Sequence, residues 1–274
     1  MKEKIKKIKR KISMLSILIV GIISLSAISA NFYEDITINT SGSTLSNKKI
    51  GWGIRNGNNH EQPDVGSSNR QLIEKYNGIC LGNSEQKYIY LTFDLGYEGG
   101  YTEHILDVLK ENNVNATFFI TAHYVNTAGD LVQRMINDGH IVGNHTVNHK
   151  SMPDISDEEI KTEVMILHQS IYEKYGYEMK YIRPPKGEFS ERTLSLSESL
   201  GYKNVMWSFA YVDWDDNKQP SHDAALEKVI SNLHNGEIML LHATSKTNSE
   251  IMEDMIKKVK EEGYEFKSID DFVQ

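Results

Sequence analysis

Two histidines four residues apart, His145 and His149, are the most suggestive pair in the chain. On a helical turn that spacing puts both imidazoles on one face, where they can share one cation. The pair carries no base of its own: Thr146 stands where a zinc-protease motif has glutamate. A carboxylate elsewhere must take that part, and Asp94, directly behind the apolar run 88–93, is the candidate. Arg183 can keep such a carboxylate ionised. His242 can protonate a leaving group, and Asp213 beside it can hold it protonated. A cation site, a base, a guanidinium and an acid make the set that metal-assisted hydrolysis of a carbonyl compound needs.

These residues are far apart in sequence, so regular elements must bring them together. Runs 88–93 (YIYLTF) and 116–121 (ATFFIT) are rich in β-branched and aromatic residues and predict buried strands. Short strands are predicted at 140–143, 181–183, 204–209, 237–242 and 264–267. Between them, helical patterns run over 102–112, 131–137, 190–199, 222–234 and 249–262. A further helix starts at Ser156, where Glu159 completes a capping box, and stops at Gly176. Strands alternating with helices predict an α/β fold with a mostly parallel sheet, closing into a barrel-like form. In such folds chemistry gathers at the C-terminal ends of strands. Asp94, the segment 144–149, Arg183, Asp213 and His242 each follow a predicted strand.

Other chemistries fit less well. There is no phosphate-binding loop and no G-x-S-x-G elbow. Asp213, Asp215 and Asp216 with Glu98 could form a glycosidase carboxylate pair, but that leaves both histidines and Arg183 without a role. Cys80 is the single cysteine, so no intramolecular disulfide and no multi-cysteine metal site can form. Its expected place is in the core.

The formal charge of −8 over 274 residues hides two unlike parts. Residues 1–11 carry seven basic residues and one acid, leaving −14 for the remainder. An acidic body argues against nucleic acid. Residues 12–30 are uncharged and mostly apolar, so 1–30 reads as a signal peptide or an N-terminal membrane anchor. Either way the rest is exported, and any membrane contact is through that segment alone. Residues 31–50 are polar and read as a linker, 51–86 as an extension wrapping the domain, and 87–274 as the catalytic domain.

Five motifs in order now carry a resemblance. They are Thr92-Phe93-Asp94, His145-Thr146-Val147-Asn148-His149, Arg183-Pro184-Pro185-Lys186-Gly187, Asp213-Trp214 and Leu240-Leu241-His242. From about 88 to 270 the chain resembles the polysaccharide deacetylases, carbohydrate esterase family 4, the NodB-homology domain. The resemblance implies a distorted (β/α) barrel with fewer than eight repeats. It implies metal-dependent removal of acetyl groups from N-acetylated sugars, with zinc the first expectation and cobalt or manganese as alternatives. It assigns Asp94 as base, His145 and His149 as metal ligands, His242 as acid, Arg183 as the residue orienting the base, and Asp213 as the one tuning the acid. The family pattern T-F-D-D has a second Asp as metal ligand; here that position is Leu95, which leaves Asp94 or water to complete the site.

Thr92-Phe93-Asp94-Leu95-Gly96-Tyr97-Glu98, with Trp52 to Asn56 and His60 to Pro63, resembles the peptidoglycan N-acetylmuramic acid deacetylase branch of that family. That branch acts in muramic δ-lactam formation in spore cortex, on peptidoglycan strands that an upstream amidase has processed. Deacetylation of peptidoglycan or chitin N-acetylglucosamine, and a degenerate wall-binding protein, are the alternatives. Trp214, Tyr97, Pro185 and Arg55 are the candidate substrate contacts. His60 is a further candidate for the lactyl group, and Tyr124 for stacking on a sugar.

Overall fold

Strand β2 (Tyr88–Leu95) is the longest strand and the axis of the fold. The computed structural model describes residues 45–57, 59–215 and 217–273. The predicted signal or anchor and most of the predicted linker lie outside the described residues, as does Asp216. Among the described residues no helix is long and apolar enough to cross a membrane.

Along β2 the side chains alternate between two apolar clusters. Ile89, Leu91, Phe93 and Leu95 join the large outer cluster beneath the helices. Tyr90 points the other way, into an inner cluster with Phe119, Ile141, Tyr181, Val205 and Ile238. Parallel partners flank β2: β3 (Thr117–Ile120) on one side and β8 (Glu237–His242) on the other. Beyond β3 come β4 (Ile141–Asn144), β5 (Tyr181–Ile182) and β7 (Lys203–Asn204), all parallel. The short β9 (Glu265–Phe266) pairs with the start of β2.

The sheet curls until its two ends approach each other through one segment. Past β7, the Met206 amide donates to the Ile79 carbonyl at 2.9 Å, and the Ile79 amide donates to Asn204 at 2.8 Å. The Phe209 carbonyl then accepts from the Leu240 amide of β8 at 2.9 Å. This corrects the expectation of one strand over 204–209. The segment changes partners from β5 to Ile79 to β8 as it crosses the gap, so only its first residues form a regular ladder. The result is the distorted (β/α) barrel with fewer than eight repeats.

Residues 45–86 form a third apolar layer. β1 (Ile50–Gly51) pairs antiparallel with β6 (Glu188–Phe189). Trp52, Ile73, Cys80 and Leu81 pack there with Phe189, Leu194 and Met206. Burial pushes the Cys80 thiol up to about 12, so it stays protonated and unreactive. Leu45 to Ile50, the end of the predicted linker, runs along this layer; the Ser46 carbonyl accepts from the Arg192 amide at 3.1 Å.

The predicted capping box at Ser156 and Glu159 is present and opens the helix Asp157–Tyr175. Glu98 does similar work without being a cap by position. Its Oε1 accepts from the amides of Gly100, Tyr101 and Thr102 at 2.6, 3.0 and 3.3 Å, at the start of the helix Thr102–Glu111. Its Oε2 accepts from the hydroxyl of Tyr124 at 2.9 Å. Glu98 is therefore committed to structure rather than to a glycosidase pair. Tyr124 is fully buried and belongs to the outer core, not to a sugar-stacking surface. Glu98→Ala should lower stability by about 1–2 kcal/mol, the cost of losing a helix cap, read as a fall in the thermal midpoint with the deacetylated product unchanged in kind.

Candidate active site

A cleft of about 1150 Å³ opens over the C-terminal ends of the strands, and Asp94, His145, His149 and His242 line it. β2 delivers Asp94 on its inner face, one residue before Leu95 turns outward into the core. Arg183 follows β5 and is completely buried. Its Nη1 donates to Asp94 Oδ1 at 2.8 Å, its Nε to the Val205 carbonyl at 3.0 Å, and its Nη2 to the Met206 carbonyl at 3.3 Å.

The guanidinium is also held from below. Its centre lies 4.3 Å from the ring centroid of Phe119. That ring lies across Gly143 on the neighbouring strand, where a Cβ would come within 2.5 Å of it. Glycine at 143 thus admits the ring, the ring supports the cation, and the cation aims the carboxylate.

Burial pushes the Asp94 carboxyl upward. The charges of Arg183, His145 and His242 and the Arg183 hydrogen bond outweigh it, so Asp94 ends below the usual carboxylate range. It is ionised at neutral pH, as a base must be.

The two histidines meet, but not on a helical turn. Residues 145–149 form an irregular loop after β4, with Thr146 at φ 65° and His149 at φ 54°. The loop is pinned from both ends. Asn144 Oδ1 accepts from the Thr146 amide at 2.9 Å. Glu163, buried on the helix Asp157–Tyr175, accepts from the Asn148 amide and side chain at 2.7 Å each. Sequence reasoning passed over Glu163, because a charged residue in a helix reads as solvated surface unless its buried partner is known.

Burial lowers the pKa of His145, and that of His149 to about 4, so both are neutral at pH 7. His145 Nδ1 donates to the Arg183 carbonyl at 2.8 Å, which leaves Nε2 as a bare lone pair. His149 Nε2 stands 3.1 Å from it. Two imidazole nitrogens on one tetrahedral zinc sit roughly 3.3 Å apart, given Zn–N bonds of about 2.0–2.1 Å. Asp94 Oδ2 is 3.6 Å from His145 Nε2. Among the described residues no group of three His, Cys, Asp or Glu side chains closes into a metal cage. The site instead offers two neutral imidazoles with one carboxylate oxygen at their edge, a donor set that fits a borderline-soft divalent ion.

On the other wall, Asp213 is buried under His242. Asp213 Oδ1 accepts from His242 Nδ1 at 2.7 Å, and Oδ2 from the His242 amide at 2.8 Å. Burial alone would lower the His242 pKa, but the Asp213 hydrogen bond and charge overcome it, so the pKa lies above 6.5. The ring nitrogen Nε2 is left for the cleft.

Of the expected substrate contacts, Tyr97 and Trp214 line the cleft and are 44% and 57% exposed. Pro185 is buried beside it, while the adjoining Lys186 and Gly187 line it. Arg55 is not among the lining residues; it bridges to Asp64 and faces its carboxylate at 3.8 Å. His60 also lies elsewhere, bonded to the Leu233 carbonyl at 2.7 Å. Lys186 and His123 line the cleft and were missed as separate candidates. Lys186 sat inside a quoted motif, but nothing in its spacing showed the left-handed backbone (φ 60°) that places it there.

Comparison with known proteins decides what this cleft belongs to. The family described as polysaccharide deacetylase matches residues 81–205. The peptidoglycan-N-acetylmuramic acid deacetylase PdaA of Bacillus subtilis is 43% identical over 228 residues, covering 83% of this chain and 87% of that protein. The chain belongs to the polysaccharide deacetylases of carbohydrate esterase family 4. The solved structure of Bacillus subtilis PdaA, described as a family 4 carbohydrate esterase, superposes with a TM-score of 0.81 over 83% of this chain and 98% of that one. A family 4 carbohydrate esterase from Bacillus anthracis superposes with a TM-score of 0.72 at 42% identity, over 84% of this chain and 98% of that one. As a polysaccharide deacetylase the chain is a hydrolase of N-acetyl amide bonds.

Proposed function

We propose that this deacetylase acts outside the cytoplasm on peptidoglycan and removes the acetyl group of N-acetylmuramic acid. In this reading it serves muramic δ-lactam formation in spore cortex, after an amidase has freed the lactyl group. The observation that carries the substrate is the 43% identity and near-complete structural overlap with PdaA, whose name states that specificity. The motif Thr92 to Glu98 supports it. Its departures from T-F-D-D are built into the fold here, with Leu95 in the core and Glu98 at a helix start. Glycan strands treated with the protein and digested for mass spectrometry should lose acetyl from muramic residues. Loss from glucosamine residues alone would replace this reading with that of a glucosamine deacetylase. Glycan binding without any acetate release, with Zn²⁺, Co²⁺ or Mn²⁺ supplied, would replace it with that of a degenerate wall-binding protein.

A divalent cation held by His145 and His149 would polarise the acetyl carbonyl and acidify water at the site. The chain's own groups do the rest. Asp94, fixed through Oδ1 by Arg183, accepts a proton from the attacking water through its other oxygen. The water oxygen bonds to the acetyl carbon, and the C–N bond then breaks. His242 gives the Nε2 proton to the departing sugar nitrogen, while Asp213 retains the proton on Nδ1. The products are acetate and a free amino sugar.

This division of labour predicts a pH dependence. The acid form of His242 is present below its raised pKa and is lost as pH rises through it, so the alkaline limb of kcat lies above 6.5. In Asp213→Asn the two largest influences opposing the burial of His242 are lost, and only the Asp94 charge still raises its pKa. The limb should then move to lower pH than in the native chain, measured as acetate release across pH. An unmoved limb would mean that another group is the acid.

A further inference from the structure

The Asp213–His242 pair is itself held by a side chain that no catalytic motif contains. Asn248 is completely buried at the start of the helix Lys246–Glu261. Its Nδ2 donates to Asp213 Oδ2 at 2.5 Å and to the His242 carbonyl at 3.1 Å. Its Oδ1 accepts from the hydroxyl of Tyr211, a residue on the cleft wall. Burial keeps the Tyr211 hydroxyl protonated, and the His242 carbonyl can only accept, so the amide has one consistent orientation.

The same helical turn grips the loop that carries Asp213. Ser245 Oγ accepts from the Asn248 amide at 3.1 Å and donates to Gln219 Oε1 at 2.6 Å. Gln219 Nε2 donates to the Asp213 carbonyl at 2.6 Å. Asp213 is thus fixed at its side chain by Asn248 and at its backbone by Gln219. Both holds run back to one turn of helix that contributes no atom to the reaction.

We propose that Asn248, oriented by Tyr211, is the positioning residue for the acid. It presents Asp213 so that Oδ1 is turned to His242 Nδ1, and thereby keeps Nε2 aimed into the cleft. A carboxylate held by two donors on one oxygen cannot swing, and its partner ring cannot turn with it. The inference rests on His242 being the acid of the deacetylase reaction and not on which sugar is deacetylated.

Two readings of one set of variants test it. Asn248→Ala should lower kcat about tenfold, the typical lower cost of a lost outer-shell partner, with KM within about twofold. Its His242 pKa, followed by NMR of the imidazole in protein without substrate, should fall toward 6.5. Asn248→Asp keeps the shape yet sets a buried carboxyl against Asp213 Oδ2; it should lose at least as much kcat and also lower the thermal midpoint. Thr247→Val removes a neighbouring bond to the Pro220 carbonyl (2.9 Å) and should change stability alone. The proposal is overturned if Asn248→Asp retains native kcat. It is equally overturned if Asn248→Ala leaves the His242 titration in place and loses activity only in step with its unfolded fraction. A His242 titration that responds to Asn248 while His242→Ala stays active would support the positioning and refute the acid assignment instead.

Discussion

Asp94→Asn should reduce kcat by roughly 10²–10⁴-fold, the range a positioned general base contributes. The substitution keeps the volume and an oxygen for Arg183, so the fold should persist at a cost in stability, because the buried guanidinium loses its counter-charge. What it removes is the one carboxylate that lines the cleft among the described residues, beside the imidazole pair and His242. The metal content of the purified variant separates two roles. If Asp94 is base alone, the two histidines retain the ion and only turnover is lost. If its Oδ2, 3.6 Å from His145 Nε2, is also a ligand, the ion is lost with the activity. Retention of a tenth or more of native kcat would remove Asp94 from the base role altogether.

Arg183→Leu should be the most destabilising single change near the site, by about 3–5 kcal/mol, because it strands a buried carboxylate without its cation. Deprived of Arg183, Asp94 keeps the burial that raises its pKa and loses the largest charge that lowers it. The carboxyl then takes up a proton toward neutral pH and fails as a base even in molecules that remain folded. Arg183→Lys separates the two losses. A lysine supplies the charge but not the three-way fork to Asp94, Val205 and Met206. It should recover part of the stability and little of the activity. Denaturant midpoints with acetate release on the same samples read both, and equal recovery of the two would contradict this account.

The sequence was most legible where one principle acted alone. The run 88–93 is rich in β-branched and aromatic residues, which predicts a buried strand, and β2 is that strand, covered on both faces. Ser156 and Glu159 announce a helix start by local hydrogen bonding, which needs no tertiary knowledge. The loop at 145–149 shows the limit. Spacing of four suggests a helical face, but Thr146 and His149 adopt left-handed backbone that Asn144 and Glu163 impose from elsewhere in the fold. The two imidazoles still come within 3.1 Å of each other, because the loop rather than a helical turn brings them together. The helix Ala122–Thr127 went unread because six residues are too few to show a period. Arg55 and His60 are candidates by resemblance alone; in the fold Arg55 pairs with Asp64, His60 bonds to Leu233, and neither lines the cleft.

The seam formed by Ile79 and the stretch from Val205 to Phe209 gives the enzyme a single point of failure. Arg183 bonds to carbonyls of that very stretch while it holds Asp94 on β2. Parting the seam should therefore release Asp94 before any core strand is lost. Catalytic competence should then report the least stable opening of the molecule rather than its global unfolding. Under rising denaturant, amide protons of Ile79, Met206 and Leu240 should begin to exchange together, and turnover should disappear with them while β2 and β3 remain protected.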